Sequence, residues 1–195
     1  ICVRQMTEPI DHKTIEKIAT RYLPSDSTVQ IAPILTGKFN TSFFVTAGEI
    51  SWVVRIAPPR DAVFIFYERD MMRQEPGIHR LLSTKTSVPV APVIAFDDSG
   101  DLVDRDFLIM ERLAGNPISD VACDYGKVLH QVGKYLAQVH GQTASMYGYI
   151  GEHQPMPAQR RWVDAFHIMW NRLIEGIGEG GHYDEKESSA CRRLL

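Results

Sequence analysis

The chain has 195 residues, 44% of which are hydrophobic, and a formal net charge of −3. This composition is typical of a globular protein with a packed core and excludes an intrinsically disordered chain. The basic residues are scattered along the sequence, which argues against DNA or RNA as a partner. The 3 cysteines match neither a disulfide framework nor a zinc site, and no stretch resembles a signal peptide or a membrane span. These features predict a cytoplasmic protein without a membrane partner.

The first half of the sequence predicts one helix followed by three strands. Asp11 is a suitable N-cap for a helix that ends before Pro24. Three runs rich in β-branched and aromatic residues come next, and turn-forming segments separate them. These runs cover residues 29–34, 41–47 and 50–56. Such short connections predict an antiparallel meander.

A helix and two further strands are predicted next. Residues 66–82 carry apolar side chains at helical spacing, and a break is expected at Pro76-Gly77. Strand character returns at 88–96 and 106–110, on either side of the turn-forming sequence DDSGD. A second antiparallel hairpin is therefore predicted here.

Only helices are predicted after the Gly/Asn/Pro cluster at 114–117. The first is capped by Asp124 and stops at Gly141, the second covers 161–174, and the third begins at Asp184. Strands that are segregated from helices along a chain favour an α+β fold.

Arg55 is a permanent charge inside the strand-like run at 50–56. Side chains alternate on a strand, so Arg55 faces away from the side that carries Trp52 and Val54. A guanidinium in such a place calls for an anion, either a carboxylate of the next helix or a bound phosphate. The alternative is an arginine at the surface of an edge strand, its stem covering apolar residues.

Several segments in this order resemble the aminoglycoside phosphotransferase family of protein-kinase-like small-molecule phosphotransferases. They are TGKFNTSFFV (36–45), WVVRIAPP (52–59), FLIMERLAGNPI (107–118) and YLAQVHG (135–141). The resemblance extends from about residue 28 to the end of the chain. It implies a protein-kinase-like α+β fold, with an antiparallel five-stranded N-lobe that has one main helix, followed by the start of a helical C-lobe. The implied domains are an N-terminal arm and helix (1–27), a nucleotide-binding N-lobe with hinge (28–113), and the beginning of a truncated acceptor lobe (114–195).

The resemblance also implies a phosphate site. Residues 37–41 correspond to the nucleotide-binding loop, in which backbone N–H groups and the hydroxyls of Thr41 and Ser42 hold phosphate oxygens. The alternative is an ordinary hairpin turn with Gly37 and Asn40 at positive φ. Arg55 corresponds to the strand cation that pairs with the α- and β-phosphates.

In the family a helix glutamate holds that cation in place. Glu75 is the candidate for this role, and Glu68 is held in reserve. A solvated helix face is the alternative for both.

Residues 110–113 resemble the hinge that binds the adenine base. The resemblance implies that the Glu111 C=O and the Leu113 N–H hydrogen-bond the base edge, with Met110 behind the base as gatekeeper. The alternative is an ordinary strand that runs into a loop.

No catalytic or metal-binding residue can be assigned. The family's catalytic aspartate is followed five residues later by an asparagine, whereas Asp184, in the look-alike HYD triplet, is followed at that distance by Ser189. Asp184 is better interpreted as a helix N-cap.

Two functions remain open at this point. The resemblance implies an ATP- or GTP-dependent phosphotransferase acting on a hydroxyl of an aminoglycoside-like small molecule, present here as a fragment that lacks the catalytic loop. Mg²⁺ is expected in the full-length enzyme, with its ligands absent from this chain. The alternative is a non-catalytic nucleotide-binding or partner-binding module built on a kinase-like lobe.

Overall fold

The computed structural model describes residues 10–37, 39–62, 64–151 and 153–194. Its first helix, α1 (His12–Tyr22), begins at Asp11, whose carboxylate accepts a hydrogen bond from the Thr14 N–H at 2.7 Å. The helix ends where the N–H of Leu23 bonds the C=O of Ala19. The predicted helix and its cap are confirmed.

The described residues contain one five-stranded antiparallel sheet, in the order β1-β2-β3-β5-β4. The predicted meander and the second hairpin are both confirmed. Gly48, at φ 57°, makes the tight turn between the second and third strands. The strands are β1 (Gln30–Ile34), β2 (Thr41–Ala47), β3 (Ile50–Ile56), β4 (Val93–Asp97) and β5 (Phe107–Glu111).

One face of this sheet carries a hydrophobic core. Alternate residues of β2, β3 and β5 are buried on this face together with Ile15, Ile18 and Ala19 of α1. Tyr22 contributes an edge-on ring contact with Phe107, at 6.4 Å between ring centroids. The sheet residues of this core are Phe43, Val45, Ala47, Trp52, Val54, Ile56, Phe107 and Ile109.

The helix predicted over 66–82 starts later than expected. A short 3-10 turn, Met71–Gln74, leads directly into α2 (Glu75–Lys85). No break of the helix occurs at Pro76-Gly77, where a bend or break was expected, since both residues lie in the first turn of α2. Proline is well accepted in the first turn, where its missing N–H would have no helical partner anyway.

The strand predicted over 88–96 is shorter, because β4 begins only at Val93. Pro89 and Pro92 lie in the part that is not a strand. Neither has an N–H to donate to a neighbouring strand, so the ladder cannot extend through both of them.

Three longer helices follow β5. They are α3 (Tyr125–His140), α4 (Trp162–Glu179) and α5 (Glu185–Arg192). The first has the predicted bounds, yet it has no buried residue, and Leu129 on its apolar stripe is 65% exposed. The second continues beyond the predicted end at 174, through Gly176 and Gly178 to a C-cap at Gly180. Packing overrides the low helix propensity of these glycines, because Ile174 is buried and Trp170 Nε1 donates to the C=O of Cys191 at 3.1 Å.

The described residues fall into two compact units. The first comprises those up to Ala62 and His79–Val139, and it contains α1 and the sheet. The second comprises those from 64 to Ile78 and from His140 onward, and it contains α4 and α5. The domain boundaries expected from the sequence stay predictions. Within the described ranges, every helix is too short or too polar to cross a lipid bilayer.

Candidate functional site

Arg55 lies near the end of the central strand, β3, on the sheet face that α1 does not cover. On β2 its direct neighbour is Ser42, and on β5 it is Leu108. Residues directly opposite one another in an antiparallel sheet share a face, so the three side chains form one row across it. Arg55 is half-buried, whereas Ser42 is buried at 9% exposure. The row therefore makes the Ser42 and Arg55 side chains neighbours on one face of the sheet.

A second row on the same face contains the predicted gatekeeper. Met110 lies opposite Val53, and Val53 lies opposite Phe44. The two rows are two residues apart along the strands, or about 7 Å. The structure therefore brings Ser42, Arg55 and Met110 together on one face, which we call the Arg55 face.

Two other predicted residues have their side chains on the opposite face. Thr41 lies opposite Ile56, and Glu111 lies opposite Trp52, both partners being core residues. The Thr41 hydroxyl is thus not beside Arg55, and any part that Thr41 plays at the Arg55 face must come from its backbone. The role predicted for Glu111 involves only its backbone C=O.

Gly37 lies at a tight point of the connection between β1 and β2. A Cβ added there would lie 2.9 Å from the backbone oxygen of Asn40. The ordinary hairpin-turn alternative assumed a positive φ at Gly37 and Asn40. Neither residue has one, so this alternative is wrong. Glycine is needed here because the chain approaches itself closely. Lys38 lies outside the described residues.

The predicted hinge has a carbonyl that the neighbouring strand cannot satisfy. The Glu111 N–H donates to the C=O of Pro92 at 2.9 Å, and the Arg112 N–H donates to the C=O of Ser51 at 3.0 Å. In an antiparallel ladder the bond from Glu111 would be returned by an N–H of Pro92. Proline has none, so the Glu111 C=O receives no bond from Pro92. Leu113, just beyond the strand, is 52% exposed.

The sequence reasoning missed two residues of this region. Pro92 was visible in the VPVAPV segment, but its register opposite Glu111 depends on the strand pairing. Arg112 was overlooked because only the hinge backbone was considered. Its guanidinium carbon lies 4.0 Å from the centroid of the Phe44 ring, a cation–π contact.

Glu75 is the one predicted site residue that belongs to the second unit. It has helical dihedrals, φ −59° and ψ −46°, although a proline follows it. Glu68, the reserve candidate, lies in a turn before the 3-10 segment. Pairing of either glutamate with Arg55 stays a prediction.

Side chains that could bind a metal are not clustered in the described residues. Within them, no group of three or more His, Cys, Asp or Glu side chains could hold a metal ion. Asp184 is the N-cap of α5, since its carboxylate accepts from the Glu187 N–H at 2.7 Å and the Glu187 side chain accepts from the Asp184 N–H at 2.9 Å. This reciprocal capping box confirms the structural interpretation of Asp184.

An open cavity of about 330 Å³ lies elsewhere in the first unit, between the start of α1 and residues 102–105. It is lined by Asp11, Asp104 and Arg105, among others. Arg105 is buried, and its Nε lies 3.4 Å from a carboxylate oxygen of Asp104. The cavity contains none of the predicted site residues, so it is not the predicted nucleotide site.

Comparison with protein families gives a match over most of the chain. The profile of the phosphotransferase enzyme family, APH, matches residues 30–174. No curated protein matches the sequence.

Solved structures of similar fold include three kinases or phosphotransferases. A fructosamine-3-kinase-like protein from Haemophilus somnus 129PT is 17% identical, with a TM-score of 0.60, over 87% of this chain and 55% of that one. Aminoglycoside phosphotransferase APH(4)-Ia, in a ternary complex with AMP-PNP and hygromycin B, is 15% identical, with a TM-score of 0.56, over 90% of this chain and 55% of that one. Spectinomycin phosphotransferase APH(9)-Ia, in complex with ADP and spectinomycin, is 12% identical, with a TM-score of 0.52, over 91% of this chain and 49% of that one.

At these identities the likeness shows the protein-kinase-like α+β fold alone, as predicted. The chain spans about half the length of the structures that it matches.

Proposed function

Because the chain belongs to the phosphotransferase enzyme family, we propose that it is the nucleotide-binding part of a small-molecule kinase. The reaction is transfer of the γ-phosphoryl group of ATP or GTP to a hydroxyl of a small, aminoglycoside-like acceptor. One observation carries the proposal: Arg55 and Ser42 lie side by side on a sheet face that also carries Met110 at the hinge.

Each group on the Arg55 face has a role in binding. The Arg55 guanidinium binds oxygens of the α- and β-phosphates, and the Ser42 hydroxyl donates to a neighbouring oxygen. The close turn at Gly37 and Asn40 presents backbone N–H groups, including that of Thr41, to the phosphates. Glu75, which the family resemblance implies as the supporting carboxylate, stays a prediction.

The base binds at the hinge end of the same face. The Glu111 C=O accepts from the exocyclic amine of adenine, and the Leu113 N–H donates to a ring nitrogen. Pro92 supports this role, because it leaves the Glu111 C=O without a ladder donor. Met110 and Val53 supply the apolar surface against which the base lies.

The transfer step itself is not assigned to any residue of this chain. Phosphoryl transfer in such enzymes needs an aspartate that positions the acceptor hydroxyl and Mg²⁺ that neutralises charge. The described residues contain no group of three or more possible metal ligands, and we derive no step through the metal. The acceptor, the cytoplasmic location and the magnesium ligands of the full-length enzyme therefore stay expectations from the family.

Isothermal titration of the chain with ATP and with inorganic tripolyphosphate tests the proposal. We expect both ligands to bind, and Arg55→Ala to weaken both by about 10- to 100-fold, as for loss of a hydrogen bond to a charged group worth about 1.5–3 kcal/mol. Arg55→Lys should recover part of the affinity, because it keeps the charge but loses the fork of donors.

Arg21→Ala is the matched control, since Arg21 is an exposed arginine on α1. A folded wild-type chain that binds neither ligand contradicts the proposal. Equal losses in the two arginine variants would show a non-specific charge effect and contradict the role of Arg55.

A further inference from the structure

Arg112 places a second guanidinium on the Arg55 face, at the hinge end. Its N–H bond to the C=O of Ser51 continues the ladder of β5 by one residue, so its side chain leaves on the same side as that of Met110. The contact with Phe44 confirms this direction, because Phe44 lies opposite Val53 on that face.

The guanidinium makes a close contact with the Phe44 ring, with its carbon 4.0 Å from the ring centroid. The Arg112 residue as a whole is exposed, whereas Phe44 is half-buried. A guanidinium is planar and stacks on aromatic surfaces from either side. One side of it contacts Phe44, and the exposed side is available for a second flat group.

We propose that Arg112, supported by Phe44, is a stacking platform for the base of the nucleotide. The inference rests on the proposed function, in which the base lies against Val53 and Met110, the neighbours of Phe44 in the same row. The Arg112 backbone adjoins Ser51 on β3, four residues from Arg55, and its guanidinium reaches the row of Phe44 and Val53, which is two residues or about 7 Å from the Arg55 row. The two arginines lie in different rows of one face and serve different parts of one ligand, Arg55 the phosphates and Arg112 the base.

A stacking role for Arg112 predicts little selectivity between adenine and guanine nucleotides. Every purine offers a flat face, so a stacking platform binds adenine and guanine with similar strength. An arginine that read the base edge by hydrogen bonds would instead distinguish the two, because guanine and adenine present different donors and acceptors. Arg112 is therefore a residue that raises affinity for purine nucleotides in general.

The competing explanation is that Arg112 merely covers Phe44 from water. A covering role affects folding stability and leaves ligand binding unchanged. A base-stacking role affects ligands that have a base and spares inorganic tripolyphosphate, which has none.

Arg112→Ala and Arg112→Gln, each titrated with ATP, GTP and tripolyphosphate, separate these roles. We expect affinity for ATP and GTP to fall by about 5- to 50-fold, in keeping with base stacking on a side chain, while tripolyphosphate binding stays within about twofold. Phe44→Leu removes the ring beneath the guanidinium and should also lower the affinity for ATP, by a smaller factor. Circular dichroism checks that each variant is folded.

Each outcome bears on the inference. Unchanged ATP affinity in the two folded Arg112 variants overturns it, as does an equal loss for ATP and tripolyphosphate. A loss confined to GTP overturns stacking in favour of edge recognition. If the wild-type chain binds tripolyphosphate but no nucleotide, base binding fails while the phosphate site stands; if it binds neither, the proposed function itself fails.

Discussion

The two faces of the sheet differ in what their residues contribute. The face under α1 is a continuous apolar core, in which Val54, Ile56 and Ile109 have no exposed surface. The Arg55 face carries a guanidinium, a hydroxyl and the Phe44–Arg112 contact beside the buried Leu108. A single strand supplies both faces, because neighbouring residues on it point to opposite sides.

One sheet can therefore use one face for stability and the other for binding. Burying an aliphatic side chain fully stabilises a fold by about 1.5–3 kcal/mol, so the core face accounts for much of what holds the sheet together. Polar groups on the Arg55 face contribute less to stability, and they offer the hydrogen-bonding chemistry that a ligand needs. The consequences can be tested by changes that affect one face at a time.

The largest effect is expected from adjacent valines on opposite faces. Val54→Ala should lower the free energy of unfolding by about 2–3 kcal/mol, because Val54 is fully buried and the change leaves a cavity. Val53→Ala, at a half-buried position, should cost less than about 1 kcal/mol but weaken ATP binding. Urea denaturation measures the stability of the two variants, and titration with ATP measures their affinity for the nucleotide. Similar stability losses in both variants would mean that the faces are not separated in this way.

Gly37→Ala is expected to affect the Arg55 face and spare the core. The added Cβ would meet the backbone oxygen of Asn40 at 2.9 Å, so the loop must shift. We expect tripolyphosphate affinity to fall by about tenfold, or about 1.4 kcal/mol. Gly133→Ala in α3 is the matched control, since a Cβ there meets no atom within 4 Å. Unchanged tripolyphosphate binding in Gly37→Ala would show that the loop is not part of the phosphate site.

Pro92→Ala tests the hinge carbonyl. The N–H of the new alanine can donate to the Glu111 C=O and then competes with the base for this carbonyl. A hydrogen bond worth about 0.5–1.5 kcal/mol should weaken ATP binding by about two- to tenfold without changing tripolyphosphate binding. Pro89→Ala serves as the comparison, because Pro89 lies four residues before β4, whereas Pro92 directly precedes the strand and accepts the bond from Glu111. An ATP affinity that does not fall would show that the Glu111 C=O is not part of the base site.

The smallest effect is expected at Asp11, which caps the helix that covers the core face. Hydrogen bonding from Thr14 lowers the pKa of Asp11 below its ordinary value of 3.8. A carboxyl whose pKa is lowered by folding adds stability above its unfolded pKa and loses it as the pH falls through the folded pKa. Asp11→Asn keeps a capping oxygen but removes the charge. At pH 7 the wild type should have a slightly higher melting temperature than the variant. At a pH low enough to protonate Asp11, the two melting temperatures should be equal. A difference that does not change with pH would exclude a contribution from the charge of Asp11.

Much of the fold was predictable from the sequence, and the errors have local causes. The meander, the second hairpin and the capped helices were read from turn residues and periodicity. The predicted boundaries of α2, β4 and α4 were wrong at prolines and glycines, because these residues are compatible with more than one local structure. Pro76 begins a helix instead of breaking one, Pro92 delays a strand, and Gly176 and Gly178 stay helical because packing outweighs propensity.

The candidate site was predictable only in part. Local sequence was enough to predict that Arg55 and the core valines lie on opposite faces, and that Asp11 and Asp184 cap helices, since these features depend on neighbours within a few residues. The three-dimensional structure was needed to show that Ser42 lies beside Arg55, that Pro92 lies opposite Glu111 and that Arg112 reaches Phe44. Strand pairing brings together residues up to tens of positions apart, and no local pattern specifies that register.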